Sequence, residues 1–244
     1  FLAHRIPYPP NRGDRIRSFH LIQWLAQRAR VSLAFLADEL PPQESIAALE
    51  NLCDRVTYQC QGRERWLRAA TSMVAGRTAT EGLFRSPSLK STINTWCSDT
   101  RFDAVVVFCS SMVQYLDAPG LEGVPAVVDL VDVDSQKWLD YARHAWGPKR
   151  WLLQTEGRRL RKLESTLPGR VQSVTVVADR EADLFESFAQ RRPVVLRNGV
   201  DLDYSAPQSN GNGNGNGQLH HNDPPSCVFV GALDYDANVD GAAW

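Results

Sequence analysis

Three carboxylates recur at short spacing in the segment 127–138, VVDLVDVDSQKW: Asp129, Asp132 and Asp134. The aliphatic run around Asp129 reads as a buried strand, so Asp132 and Asp134 fall near its carboxyl end. Ligands sit beyond that edge in open α/β sheets. A carboxylate there can bind sugar hydroxyls, act as a base, or help hold a metal. Asp134 or Ser135 can equally cap a following helix. Asp132 lies among valines, and an unpaired buried carboxylate is costly, so a partner is expected for it. Asp132 is the candidate catalytic residue and Asp134 a candidate substrate ligand.

A second group lies in the segment 4–18, HRIPYPPNRGDRIRS. Pro7, Pro9 and Pro10 exclude a helix before Gly13, which permits an unusual backbone there, and Asp14 is an expected N-cap. Backbone amides at Gly13 and the helix start can receive a phosphate or sugar hydroxyls, with positive charge from Arg12, Arg15 and Arg17. Gly13 and Arg17 are therefore candidate substrate ligands. The competing reading is a turn glycine among solvated arginines. One glycine does not supply G-x-G-x-x-G, so a dinucleotide fingerprint is absent.

A third group is KRWLLQTEGRRLRKLE, residues 149–164. Lys149, Arg150, Arg158, Arg159, Arg161 and Lys162 alternate with Trp151, Leu152, Leu160 and Leu163. That pattern fits peripheral contact with an anionic membrane surface, or a solvated helix on the domain face. The five cysteines (Cys53, Cys60, Cys97, Cys109, Cys227) are odd in number and scattered. No CxxC pair or His/Cys cluster suggests zinc, so buried free thiols in a reducing cytosol and no metal are expected. His220-His221 reads as a solvated pair.

The elements that must position these groups follow from periodicity. Short aliphatic runs at 1–3, 31–37, 55–58, 104–108, 124–130, 171–177 and 194–196 read as strands buried on both faces. Helical patterns fall between them at 16–29, 44–52, 64–74, 86–98, 135–146, 149–165 and 180–189, with Gly147-Pro148 breaking the fifth from the sixth. Alternation of this kind predicts an α/β, Rossmann-like, doubly wound parallel sheet. Residues 1–207 are expected to form this domain. Residues 208–225, QSNGNGNGNGQLHHNDPP, form a flexible linker. Residues 226–244 begin a second domain with a new strand and a helix start. The net charge of −1 offers no global case for nucleic-acid binding. No run reaches the length of a membrane span, and no signal peptide is visible. The chain starts without Met and stops inside a helix, so a fragment at both ends is expected.

The phrase NGVDLDY (198–204) followed by VFVGALDY (228–235) resembles the interdomain junction of family 4 retaining glycosyltransferases of the GT-B fold. The phrases RIPYPPNRGDRIRSFHL, VDVDSQKW, EGRRLRKLE and VVADREADLF are similar to one bacterial group of these enzymes, associated with PEP-CTERM/exosortase exopolysaccharide clusters. That group more often has Ser where Ala178 stands. The resemblance covers 1–207 and resumes at 226–244. It implies transfer of a sugar, with retention, from a nucleotide-sugar donor to a glycan or polyprenyl-linked acceptor, with no cofactor. It also implies Gly13 beside the donor diphosphate, Asp132 near the reacting sugar, and Gly231 at the donor phosphates. Further donor-binding residues are then expected after Trp244, so the chain alone is expected to be inactive. A cytoplasmic enzyme, peripheral on the inner face of the membrane if 149–162 docks there, is the leading expectation. The alternatives are a non-catalytic two-domain α/β small-molecule-binding protein and a nucleotide-dependent oxidoreductase, the latter disfavoured by the missing glycine fingerprint.

Overall fold

A computed structural model describes residues 1–199 together with 239 and 241. The elements in chain order are β1 (Leu2–Ala3), α1 (Gly13–Ala26), β2 (Ser32–Ala37), α2 (Gln43–Glu50), β3 (Arg55–Cys60), α3 (Glu64–Val74), α4 (Ala79–Leu83) and α5 (Pro87–Asp99). There follow β4 (Val105–Phe108), a 3-10 helix (Ser110–Asp117), β5 (Ala126–Val131), α6 (Asp134–Arg143), α7 (Gly147–Arg170), β6 (Ser173–Val176), α8 (Asp179–Ala189) and β7 (Val194–Val195). The chain divides after Gly199 into two units. The expected linker, Cys227, Gly231 and, apart from 239 and 241, the second-domain start lie outside the described residues.

All seven strands are parallel, in the order β3-β2-β1-β4-β5-β6-β7. The expected doubly wound sheet is therefore present. The chain winds outward from β1 to β3, then crosses back to place β4 on the other side of β1. The crevice at this switch point, beyond the carboxyl ends of β1 and β4, is where such sheets bind ligands. Side chains along β2 show why both faces must be covered. Leu33 and Phe35 enter one core with Ala3, Ile22 and Leu49. Ala34 and Leu36 point to the opposite core with Val107, Val128, Leu130 and Phe185. A period of two, apolar at every position, requires helices on both sides.

Two elements are absent from the sequence expectation. One is the five-residue α4, opened by a capping box in which Thr78 and Glu81 satisfy each other's amides. The other is the 3-10 helix after β4, where Tyr115 is buried with its hydroxyl donating to the Phe84 carbonyl (2.8 Å) and accepting from the Ser86 amide (2.9 Å). The expected N-caps are also corrected. Arg12 holds that position in α1 and Val133 in α6, so Asp14 and Asp134 sit in the first turns, where negative charge favours the helix dipole.

Helices α6 and α7 form a hairpin that leaves the sheet. Ser135, just past the carboxyl edge of β5, donates its amide to Glu164 Oε1 at 3.0 Å. Gln136 accepts from Arg161 at 2.6 Å. Gln172, two residues after α7, pairs with Ala126 at the opposite edge of the sheet. So α7 descends past the carboxyl edge near Glu164, and α6 must rise from it. The stretch from Gly147 to Glu164 therefore projects beyond the sheet by about 25 Å at 1.5 Å per residue. Gly157 lets the pair close: a Cβ there would lie 2.8 Å from Leu139 Cγ. Two further ties brace the hairpin. Glu156 accepts from the Ala79 and Thr80 amides that open α4, and Arg159 donates to the carbonyls of Met73 and Arg77.

Candidate functional site

At the carboxyl edge the most deeply set ionic pair is Arg17 with Asp129. Arg17 on α1 is 7 % exposed and Asp129 on β5 is 2 % exposed. The guanidinium donates through Nε (2.7 Å) and Nη2 (3.0 Å) to the two carboxylate oxygens. Thr175 of β6 donates to Asp129 Oδ1 at 2.9 Å, and Arg17 Nη1 donates to Asn198 Oδ1 at 2.9 Å. The expectation of Arg17 as a cation facing substrate is thus refined: its three described bonds all go to protein groups. It fixes the first turns of α1 against β5 and reaches across to Asn198, just past β7.

Next to this pair the backbone is strained at two adjacent strand exits. Cys109 after β4 has φ 75° and Val131 at the end of β5 has φ 65°. A β-branched residue in the left-handed region costs energy, and such strain persists where surrounding structure enforces it. At Val131 the β5–β6 register shifts. The shift turns the chain so that Asp132 opens to solvent rather than following the strand inward.

Asp132 is exposed just past the carboxyl end of β5, so the expectation that it is buried against a partner is corrected. Partial desolvation, then the Glu181 carboxylate, push its pKa above the usual carboxylate range, while Lys137 and Arg17 act the other way. Asp134 faces inward instead. Its carboxylate accepts from Ser110 Oγ at 2.5 Å, and burial raises its pKa. That bond joins the exits of β4 and β5 and makes Asp134 a positioning group.

The start of α6 is held by two acids from elsewhere that sequence reasoning missed. Glu181 accepts from the Val133 amide at 2.8 Å, and Glu164 accepts from the Ser135 amide. Burial raises Glu164 to about 7, and its Oε2 has no hydrogen-bond partner among the described residues. A signal existed: Glu156 and Glu164 sit at four-residue spacing with Leu160 on the inner face of α7.

On the β1 side, His4 stacks on Phe108 with centroids 5.7 Å apart and meets Phe84 edge-on. Burial, then the neighbouring Arg5, lower its pKa to about 4. Arg5 lies 3.5 Å from both Asp14 and Asp38. Gly13 opens α1 without a side-chain cap bond, and its backbone is not in the left-handed region. An added Cβ would meet nothing within 4 Å. Neither conformation nor crowding therefore demands glycine there.

The structure thus brings Gly13, Arg17, Asp132 and Asp134 to one edge of the sheet. The cysteines among the described residues are free, but only Cys53 is fully buried, and Cys60 at the end of β3 is exposed. No group of three potential metal ligands occurs among the described residues. The fold and site define an α/β protein of the Rossmann-like doubly wound class. No protein-family model matches the chain. No match was found among curated proteins or among solved structures.

Proposed function

We propose that this chain carries the acceptor-side domain of a retaining glycosyltransferase that moves a sugar from a nucleotide-sugar donor to a glycan or polyprenyl-linked acceptor in exopolysaccharide synthesis. The observation that carries this reading is the exposed Asp132 carboxylate at the carboxyl edge of the sheet, beside the strained exits of β4 and β5. A carboxylate whose pKa is raised is a better base, and it can bind sugar hydroxyls or accept a proton from an incoming hydroxyl. Its nearness to Lys137 and Arg17 supports a site that balances developing charge in a polar transition state. The side-chain-free start of α1 suits a donor diphosphate, in keeping with the resemblance at Gly13. The donor is a substrate, and the reading needs no cofactor.

The test is Asp132→Asn in the whole gene product, assayed for release of nucleoside diphosphate from nucleotide-sugar donors. The expected rate loss is about 10²-fold or more, with the unfolding midpoint unchanged because the side chain faces solvent. Full activity per molecule in the Asn variant would remove Asp132 from the site.

A further inference from the structure

Of the four exposed tryptophans among the described residues, Trp24 lies on α1, and the other three, Trp66, Trp146 and Trp151, lie on α3 and the α6–α7 hairpin. Trp146, at the turn between α6 and α7, is 88 % exposed, and Trp151 on the first turns of α7 is 67 % exposed. Leu152 is exposed beside them. On α3, Val74 is 90 % exposed and Trp66 62 %, with Leu67 also open. The two helices are tied together, because Arg159 of α7 holds the carbonyl of Met73, the neighbour of Val74. Indole rings in this number do not stay in water without a partner surface.

Charge decides which partner fits. Arg63, Arg77, Lys149, Arg150 and Arg158 are exposed around these rings. Neither segment 65–80 nor segment 141–155 contains an acidic residue. Tryptophans at a projecting tip, ringed by cations and free of carboxylates, match the boundary of an anionic bilayer, where indoles sit at headgroup depth. The full basic stretch 149–162 is not the contact, since Arg159 and Arg161 turn inward to α3 and α6.

We propose that the α6–α7 tip and the outer face of α3 dock on an anionic lipid bilayer, with Trp146 and Trp151 as its anchors. The inference rests on exposed side chains alone and is independent of the transfer reaction.

The experiment is sedimentation of the full chain with phosphatidylcholine vesicles, with and without phosphatidylglycerol, read together with tryptophan emission. Binding to the anionic vesicles only, with a blue shift and release by salt, is expected. The pair Trp146→Ser and Trp151→Ser should weaken binding by at least about tenfold without moving the unfolding midpoint. The pair Lys149→Gln and Arg150→Gln should erase the preference for anionic lipid. No binding, equal binding to both vesicles, or unchanged binding by the tryptophan pair would overturn the proposal. So would a dimer in light scattering that the same tryptophan substitutions abolish, which would make the face a contact between copies of the chain.

Discussion

Arg17 on α1 and Asp129 on β5, separated by 112 residues, share two parallel hydrogen bonds of 2.7 and 3.0 Å in the buried layer beneath the crevice. A planar guanidinium matches a carboxylate in this geometry as no ammonium can. Removing one partner leaves the other charge buried and uncompensated. Arg17→Ala should therefore lower stability by about 3–5 kcal/mol, measured by urea unfolding. The double variant Arg17→Met with Asp129→Leu should recover a large part of that loss. If the double variant is no better than Arg17→Ala, the cost lies in packing and not in the orphaned charge.

Gly13→Ala separates scaffold from site. With open space at the position of the added Cβ, the substitution should leave stability unchanged or raise it by up to about 1 kcal/mol. If the start of α1 receives a donor diphosphate, transfer by the whole gene product should nevertheless fall, because a methyl group stands between ligand and amides. Unchanged transfer would leave Gly13 as an ordinary helix start.

Glu164 predicts a stability slope. Its folded pKa of about 7 lies above the ordinary 4.5 because burial disfavours the charged form. Between these values the native state holds a proton that the unfolded chain has lost. Stability from this group is thus highest at or below pH 4.5 and falls as pH rises through about 7, by on the order of 3 kcal/mol. Glu164→Gln keeps the acceptor for the Ser135 amide and should remove this slope. Unfolding curves at several pH values decide it, and a slope unchanged in the variant would assign it to another group.

His4 works in the opposite direction. Its folded pKa of about 4 lies below the ordinary 6.5, with burial as the first cause. As pH falls from 6.5 towards 4 the unfolded chain takes up a proton that native His4 refuses, so this contribution to stability is lost on acidification, again on the order of 3 kcal/mol. The slopes of His4 and Glu164 oppose each other over much of this range, so the wild type should look flat where each variant does not. His4→Phe keeps a ring against Phe108 and should make the protein more resistant to acid. Equal acid sensitivity in His4→Phe would show that the imidazole is already charged when folded.

Much of the architecture was legible in the sequence. Fully apolar runs such as 104–108 announce strands covered on both faces, and strand–helix alternation then forces parallel pairing with right-handed crossovers. Gly147-Pro148 also marked the break between α6 and α7. The placement of the acids was not legible in the same way. Asp129, Asp132 and Asp134 look alike in one dimension, yet one is buried on Arg17, one is open at the carboxyl edge and one is held by Ser110. Asp129 did carry a signal, because a carboxylate in the middle of an aliphatic strand must find a partner. Which partner it found could not be read, since Arg17 is 112 residues away and reaches it only after α1 packs on the sheet. The direction of the α6–α7 hairpin was likewise invisible. Helical periodicity states which face is apolar, and only the bonds from Ser135 to Glu164 and from Gln172 to Ala126 decide that the hairpin rises off the sheet. Local rules act over a few residues and settle the identity of most elements, though not of the short α4 or the 3-10 helix. Charges and helix directions are settled by groups far apart in the chain, because the desolvation each buried charge suffers is offset only by a partner that the completed fold delivers.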